Sequence, residues 1–261
     1  MPISSASEGA RPKPQLQIEN LSAGYGGAPI VNEASASVGL GEIVTIVGPN
    51  GAGKSTFLKA VVGMLPALTG RVILGGEDVT NMRANHLAKR GLGYVPQVND
   101  VFDTLTVVDN LAMGGYLLSR SYVAARTEAV LEIFPALKKM LKRTASKLSG
   151  GERKMLAMAR VLMLEPHVLV LDEPTAGLSS DLARVLLEEH VRNLGKGGTA
   201  VLIVEQKALA ALGISDWGYV MAGGAMKVSS AAKDLLARKD IGEVFLGRTT
   251  EPAAIPNASG V

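Results

Sequence analysis

The chain has no cysteine. That excludes disulfides, thiolate metal sites and a cysteine nucleophile. Aromatic residues make up only 4% of the 261 residues, so the core must be assembled from Val, Leu, Ile, Ala and Met. No apolar run approaches the roughly 18 residues expected of a membrane-spanning helix. The most apolar region, 155–171, is broken by Arg160, Glu165, Pro166 and His167. Residues 1–14 lack the apolar stretch of a secretory signal, so none is expected. Any work at a membrane would need another chain to do the spanning. The net charge is only +3, and no dense basic run stands out. The nearest candidate, Lys138, Lys139, Lys142 and Arg143, reads as a solvated helix face, and no nucleic-acid partner is expected.

A 47% hydrophobic and 20% charged composition is that of an ordinary globular domain with a sizeable core. Residues 1–15 and 249–261 are rich in small, polar and proline residues and read as disordered tails. Between them strands alternate with helices. Short apolar or β-branched runs at 15–19, 42–47, 71–74, 93–95, 168–171 and 200–204 read as strands. Helical spacing is expected over 54–62, over much of 105–165 with breaks near Ser119, Pro135 and Ala145, and over 181–194. Residues 219–221 and 226–228 flank Gly223-Gly224 as a hairpin. Such alternation predicts an α/β fold with a mainly parallel sheet. The strand-free block between Gln97 and Leu164 reads as an inserted helical subdomain.

The segment Gly48-Pro49-Asn50-Gly51-Ala52-Gly53-Lys54-Ser55, followed by Thr56, fits the eight-residue phosphate-binding loop. An apolar strand precedes it and a helix follows. Backbone N–H groups in such a loop converge on an anion, and the helix start adds its positive dipole end. Lys54 is positioned to bridge the β- and γ-phosphates of a nucleoside triphosphate, and the Ser55 hydroxyl to bind Mg²⁺.

A second constellation follows the apolar run at 168–171, which ends in Asp172 and Glu173. Parallel strands present their C-terminal ends at the ligand edge of the sheet. Asp172 can therefore reach a Mg²⁺ held by Ser55. Glu173, taken to point to the opposite side of the strand, is the candidate base for the attacking water. Without the loop at 48–55 the pair would read as an acidic turn before Pro174.

Some 20 residues earlier lies LSGGE, 148–152. Together with the phosphate loop and the acidic strand, in this order and spacing, it resembles the signature motif of the ABC ATPase superfamily. The resemblance covers roughly residues 16–248. It implies a RecA-like P-loop core, an N-terminal antiparallel β-subdomain and a helical subdomain inserted near 98–160. It also implies that Ser149, Gly150 and Gly151, which read on their own as a capped helix start, contact the γ-phosphate of ATP held by a partner subunit. Tyr25 in LSAGYGG matches the aromatic stacked on adenine. Gln97 in GYVPQ matches the glutamine that contacts Mg²⁺ or the attacking water. Gln206 stands where most members carry His; its amide can donate to the γ-phosphate but carries no charge. Gly177-Leu178-Ser179 matches the loop crossing the dimer interface, with Ser179 where many members have Asp.

TVVDNLAMGGY, IFPALKKMLKR, GLSS, LIVEQ and a C-terminal VFLG are similar to one of the two ATP-binding subunits of branched-chain amino acid importers. Urea and amide importers share these features. The resemblance implies an ATP- and Mg²⁺-dependent ATPase that pairs with an identical or homologous ATP-binding subunit. It further implies docking on transmembrane permease subunits, indirect service to a solute-binding protein, and a place on the cytoplasmic face of the plasma membrane. A soluble, non-transport ABC ATPase is the competing reading.

Overall fold

The computed structural model describes residues 11–98 and 100–238. Two sheets organise them. The first is antiparallel, in the order β2-β1-β4-β5, built from β1 (Pro14–Ala23), β2 (Val31–Gly39), β4 (Ala67–Leu74) and β5 (Glu77–Asp78). The second is six-stranded, in the order β10-β9-β3-β8-β7-β6. Its strands are β3 (Ile43–Val47), β6 (Leu92–Val95), β7 (Val168–Asp172), β8 (Ala200–Glu205), β9 (Trp217–Ala222) and β10 (Ala225–Ala231). All pairings among β6, β7, β8, β3 and β9 are parallel, and the hairpin strand β10 closes the edge antiparallel.

Every residue of β3, β7, β8 and β9 is buried, which is why these strands read as mainly apolar runs rather than alternating ones. Alternation survives in which face each residue serves. Val168, Val170, Leu202 and Val204 join a core shared with the antiparallel sheet and α1 (Lys54–Val61). Leu169, Leu171, Val201 and Ile203 join a second core on the other face, with α6 (Gly150–Leu162).

Between β6 and β7 the chain forms α3 (Val107–Gly114), α4 (Arg120–Ile133), α5 (Pro135–Lys138), a 3-10 turn (Ala145–Lys147) and α6. This is the inserted helical subdomain. Its starts are written into the sequence: Ser119 caps α4, and Thr106 with Asp109 and Ser149 with Glu152 form capping boxes on α3 and α6.

Two expectations need correction. The helix expected over 181–194 is α7 (Ser180–Val185), a π-helical segment (Leu186–Val191) and α8 (Arg192–Lys196). The N-terminal tail expected over 1–15 overlaps folded structure. Arg11 bonds the buried Glu42 at 2.7 Å and lies over the Trp217 ring at 4.7 Å, and Pro14 already pairs with Gly39 in β1. A buried carboxylate with that partner holds the segment against the sheet. Strand β2 and the short helices α2 (Ala84–Lys89), α9 (Ala208–Leu212) and α10 (Ala232–Ala237) were not anticipated. The tail expected over 249–261, the domain end at 248 and the VFLG segment lie outside the described residues.

Candidate active site

The C-terminal ends of β3, β8 and β7 lie side by side, with Val47 opposite Glu205 and Asp172 opposite Val204. From β3 the chain enters the phosphate loop. Gly48 has room for nothing larger: a Cβ there would sit 2.1 Å from the Met221 carbonyl oxygen. Gly53, at φ 99°, is the N-cap of α1, and no side chain caps that helix or places an acid in its first turn. Its first N–H groups are thus left for an anion. A cavity of about 400 Å³ lies over the loop, lined by residues 50–56, Ile30 and Glu173. Ser55 lines it half-buried and Thr56 buried. Pro49 closes the loop by accepting from the Ala52 N–H at 3.2 Å.

Lys54 is buried and folds back on the loop, its Nζ donating to the carbonyls of Gly48 (2.8 Å) and Pro49 (3.0 Å). Burial pushes its pKa below the ordinary lysine value, opposed by the nearby carboxylates of Glu173, Asp172 and Glu205. An ammonium desolvated among three carboxylates and uncapped N–H groups is a receptor for a multiply charged anion.

Asp172 ends β7 buried, with one oxygen accepting from the Tyr94 hydroxyl at 3.3 Å. Its Oδ1 is buried without a hydrogen-bond partner. Burial raises its pKa above the usual carboxylate range, partly offset by Tyr94, Lys59 and Lys54. An orphaned buried carboxylate oxygen is costly unless something binds it. A cation would do so directly, and the Ser55 hydroxyl, which lines the phosphate-loop cavity, is a candidate second ligand. Among the described residues no group of three or more His, Cys, Asp or Glu could hold a metal. A cation here would therefore take most of its ligands from hydroxyl, water and phosphate oxygens, the habit of Mg²⁺. The donor set fits.

Glu173 departs from the expectation of strand alternation. It sits just past β7 in the left-handed region, at φ 45°, with its N–H donating to the Val204 carbonyl at 2.8 Å. Such backbone strain in a non-glycine residue concentrates at functional sites. The turn, not the strand, aims the side chain into the phosphate-loop cavity. Burial raises its pKa, with Lys54 opposing and Glu205 and Asp172 reinforcing. Gln97, expected at Mg²⁺ or the attacking water, donates from its amide nitrogen to Glu173 Oε2 at 2.6 Å.

The remaining expected residues lie apart from this cavity. Ser149 caps α6, accepting from the Glu152 N–H, and Gly150 lines a separate cavity of about 560 Å³ with Gln97, Lys154 and Gly177. Neither Ser149, Gly150 nor Gly151 lines the phosphate-loop cavity. Tyr25 is 58% exposed, and its hydroxyl accepts from Lys59 of α1 at 3.3 Å. Gln206 is exposed just beyond β8. Ser179 caps α7, accepting from the Leu182 N–H. Two residues escaped sequence reasoning: Tyr94, two residues before the Pro-Gln pair, and Glu205. The signal for Glu205 was a carboxylate ending an otherwise wholly apolar strand.

The family profile described as "ABC transporter" matches residues 31–176, more than half of the chain. The chain belongs to the ABC transporter ATPases. Several relatives are similar over nearly its whole length. The probable branched-chain amino acid transport ATP-binding protein LivF of Archaeoglobus fulgidus is 37% identical, the match covering 89% of this chain and 98% of LivF. The high-affinity branched-chain amino acid transport ATP-binding protein BraG of Pseudomonas aeruginosa is 35% identical, covering 89% and 99%. The lipopolysaccharide export system ATP-binding protein LptB of Escherichia coli is 33% identical, covering 89% and 97%. A solved ATP-binding cassette of an ABC transporter in its ADP conformation superposes with a TM-score of 0.81 at 29% identity, covering 89% of this chain and 98% of that one. This ABC ATPase thus has the α/β P-loop fold with a β-subdomain and a helical subdomain, and among its described residues no helix is long and apolar enough to cross a membrane.

Proposed function

We propose that this ABC ATPase powers an importer for branched-chain or other hydrophobic amino acids. The single observation that carries the hydrolytic part is the convergence of the Lys54 loop, the orphaned oxygen of Asp172 and the strained Glu173 on one sheet edge. The solute class rests on the likeness to LivF and BraG. Asp172, the Ser55 hydroxyl and Gln97 would hold Mg²⁺. Bound Mg²⁺ supplies charge neutralisation on the phosphate oxygens.

The loop 48–56 binds the triphosphate. Lys54 leaves the carbonyls of Gly48 and Pro49 and donates to phosphate oxygens, which return the charge partner that burial withholds from it. Tyr25 stacks on the adenine. Glu173 takes the proton of the water whose oxygen attacks the γ-phosphorus, and ADP departs. A carboxylate whose pKa is raised is a stronger base than an ordinary one. Gln206 donates to the γ-phosphate. Ser149, Gly150 and Gly151, remote from their own cavity, close on ATP held by a second ATP-binding subunit, identical or homologous. The helical subdomain and Gln97 pass closure to transmembrane permeases, which a solute-binding protein serves, at the cytoplasmic face of the plasma membrane.

The likeness to LptB supports a second reading, in which the same motor drives lipid export. Reconstitution with the permeases separates the two. ATP-dependent accumulation of leucine in inside-facing proteoliposomes, with urea not taken up, is expected. Accumulation of urea, or no solute uptake with ATP-dependent extraction of lipid, contradicts the proposed solute.

A further inference from the structure

The carboxylate of Glu205 has no part in the chemistry just described, yet it is only 2% exposed. Among the described residues no ion pair meets it. Four dipoles do. Its Oε1 accepts from the N–H of Thr175 (2.9 Å) and from the Thr175 hydroxyl (2.7 Å). Its Oε2 accepts from the N–H of Gln206 (3.1 Å) and of Lys207 (3.4 Å). The two oxygens therefore grip two different loops. Thr175 belongs to the turn that carries Glu173, closed by the Ala176 N–H donating to the Glu173 carbonyl at 3.1 Å. Gln206 and Lys207 begin the loop after β8. A second tie runs in parallel, from Lys207 Nζ to the Leu178 carbonyl at 3.3 Å.

A strand end facing protein needs no charge to be stable, and burying one is unfavourable unless its hydrogen bonds are complete. Here they are complete, and they are made to the two segments whose mutual position matters for hydrolysis. We propose that Glu205 is a positioning residue, a carboxylate latch that holds the Glu173 turn and the Gln206 loop in one arrangement. The inference rests on the hydrolytic reading above. Movement of Gln206 as the γ-phosphate leaves is carried through Oε2 and Oε1 to Thr175, and so to the base.

The test uses the purified full chain and four variants, Glu205→Gln, Thr175→Val, Thr175→Ser and Glu173→Gln, each measured for kcat, KM for ATP and thermal midpoint. Glu205→Gln puts an amide NH₂ against N–H donors on one side. Thr175→Val removes only the hydroxyl donor, and Thr175→Ser restores it. A lost hydrogen bond to a buried charge translates into about a tenfold to hundredfold fall in kcat for Glu205→Gln and Thr175→Val. KM stays within about threefold of wild type, and Thr175→Ser recovers most of the rate. Wild-type kcat in both Glu205→Gln and Thr175→Val overturns the latch. So does a fall that merely tracks the thermal midpoint and is not recovered in Thr175→Ser. If Glu205→Gln does not fold, equal rates for Thr175→Val and Thr175→Ser overturn it. Wild-type turnover by Glu173→Gln would instead defeat the hydrolytic reading itself; inactive Glu173→Gln beside fully active latch variants defeats only this inference.

Discussion

Replacing Glu173 by Gln isolates chemistry from structure more cleanly than any other change at this site. The substitution keeps size, and the position already tolerates a side chain at φ 45°. Gln97 Nε2 donates to Glu173 Oε2 at 2.6 Å, and the new amide can offer its carbonyl oxygen in the same place. The Val204 carbonyl still receives the backbone N–H. Folding is therefore undisturbed, and removing a carboxylate whose pKa burial has raised relieves a desolvation cost. What disappears is the proton acceptor. General-base assistance contributes about 10²–10⁴-fold, so kcat is expected to fall by that factor, with ATP affinity within about threefold of wild type. Phosphate release measured beside equilibrium binding of a fluorescent ATP analogue reads both. The pH dependence adds a sign. Glu173 acts as a base only when ionised, and its folded pKa lies above the ordinary 4.5. The rate of the wild type should thus fall on acidification at a pH above that value, and this limb should vanish in the variant. Turnover within threefold of wild type, with the acid limb intact, would refute the assignment of the base.

Two further outcomes follow from the same geometry. Asp172→Asn removes a charge from a buried oxygen without a partner. Its folded pKa is raised, so the protonated carboxyl favours the folded state below the unfolded pKa, and that contribution is lost as pH rises through the folded one. The neutral variant should therefore have a higher thermal midpoint than wild type at pH 7 without nucleotide or Mg²⁺, by differential scanning fluorimetry; a lower midpoint contradicts the electrostatic account. Gly48→Ala drives a Cβ to within 2.1 Å of the rigid Met221 carbonyl, so the β3 end must shift. Overpacking of this kind costs about 1–3 kcal/mol, which urea denaturation will detect, and unchanged stability would show that the strands can part there.

How far the sequence alone reveals this molecule depends on how each element is held. Strands β3, β7 and β8 are buried on both faces and are apolar apart from Thr45 and the terminal Asp172 and Glu205, so they stood out. The loop 48–55 is equally legible because phosphate chemistry dictates glycine and lysine at set spacings. Strand β2 was invisible for the opposite reason. Its inward positions include Ala34 and Ala36, small residues that suit close packing yet carry little strand propensity. The π-helical segment at Leu186–Val191 keeps the composition of an ordinary helix. Arg11, in a segment that looks like tail, is ordered only because Glu42 and Trp217, distant in sequence, receive it. At the site, residue types were legible and their pairings were not. That Gln97 contacts Glu173, that Tyr94 holds one oxygen of Asp172, and that Glu205 bridges two loops are consequences of three strands ending together.

Calorimetric titration of ATP into the purified chain, with Mg²⁺ and with chelator, probes most directly whether the Lys54 loop and the Asp172 carboxylate share one ligand. Wild type should bind more tightly when Mg²⁺ is present, and Asp172→Asn should lose that gain while keeping its metal-free affinity. Equal affinity of the wild type under both conditions, or an undiminished Mg²⁺ gain in Asp172→Asn, would contradict the account.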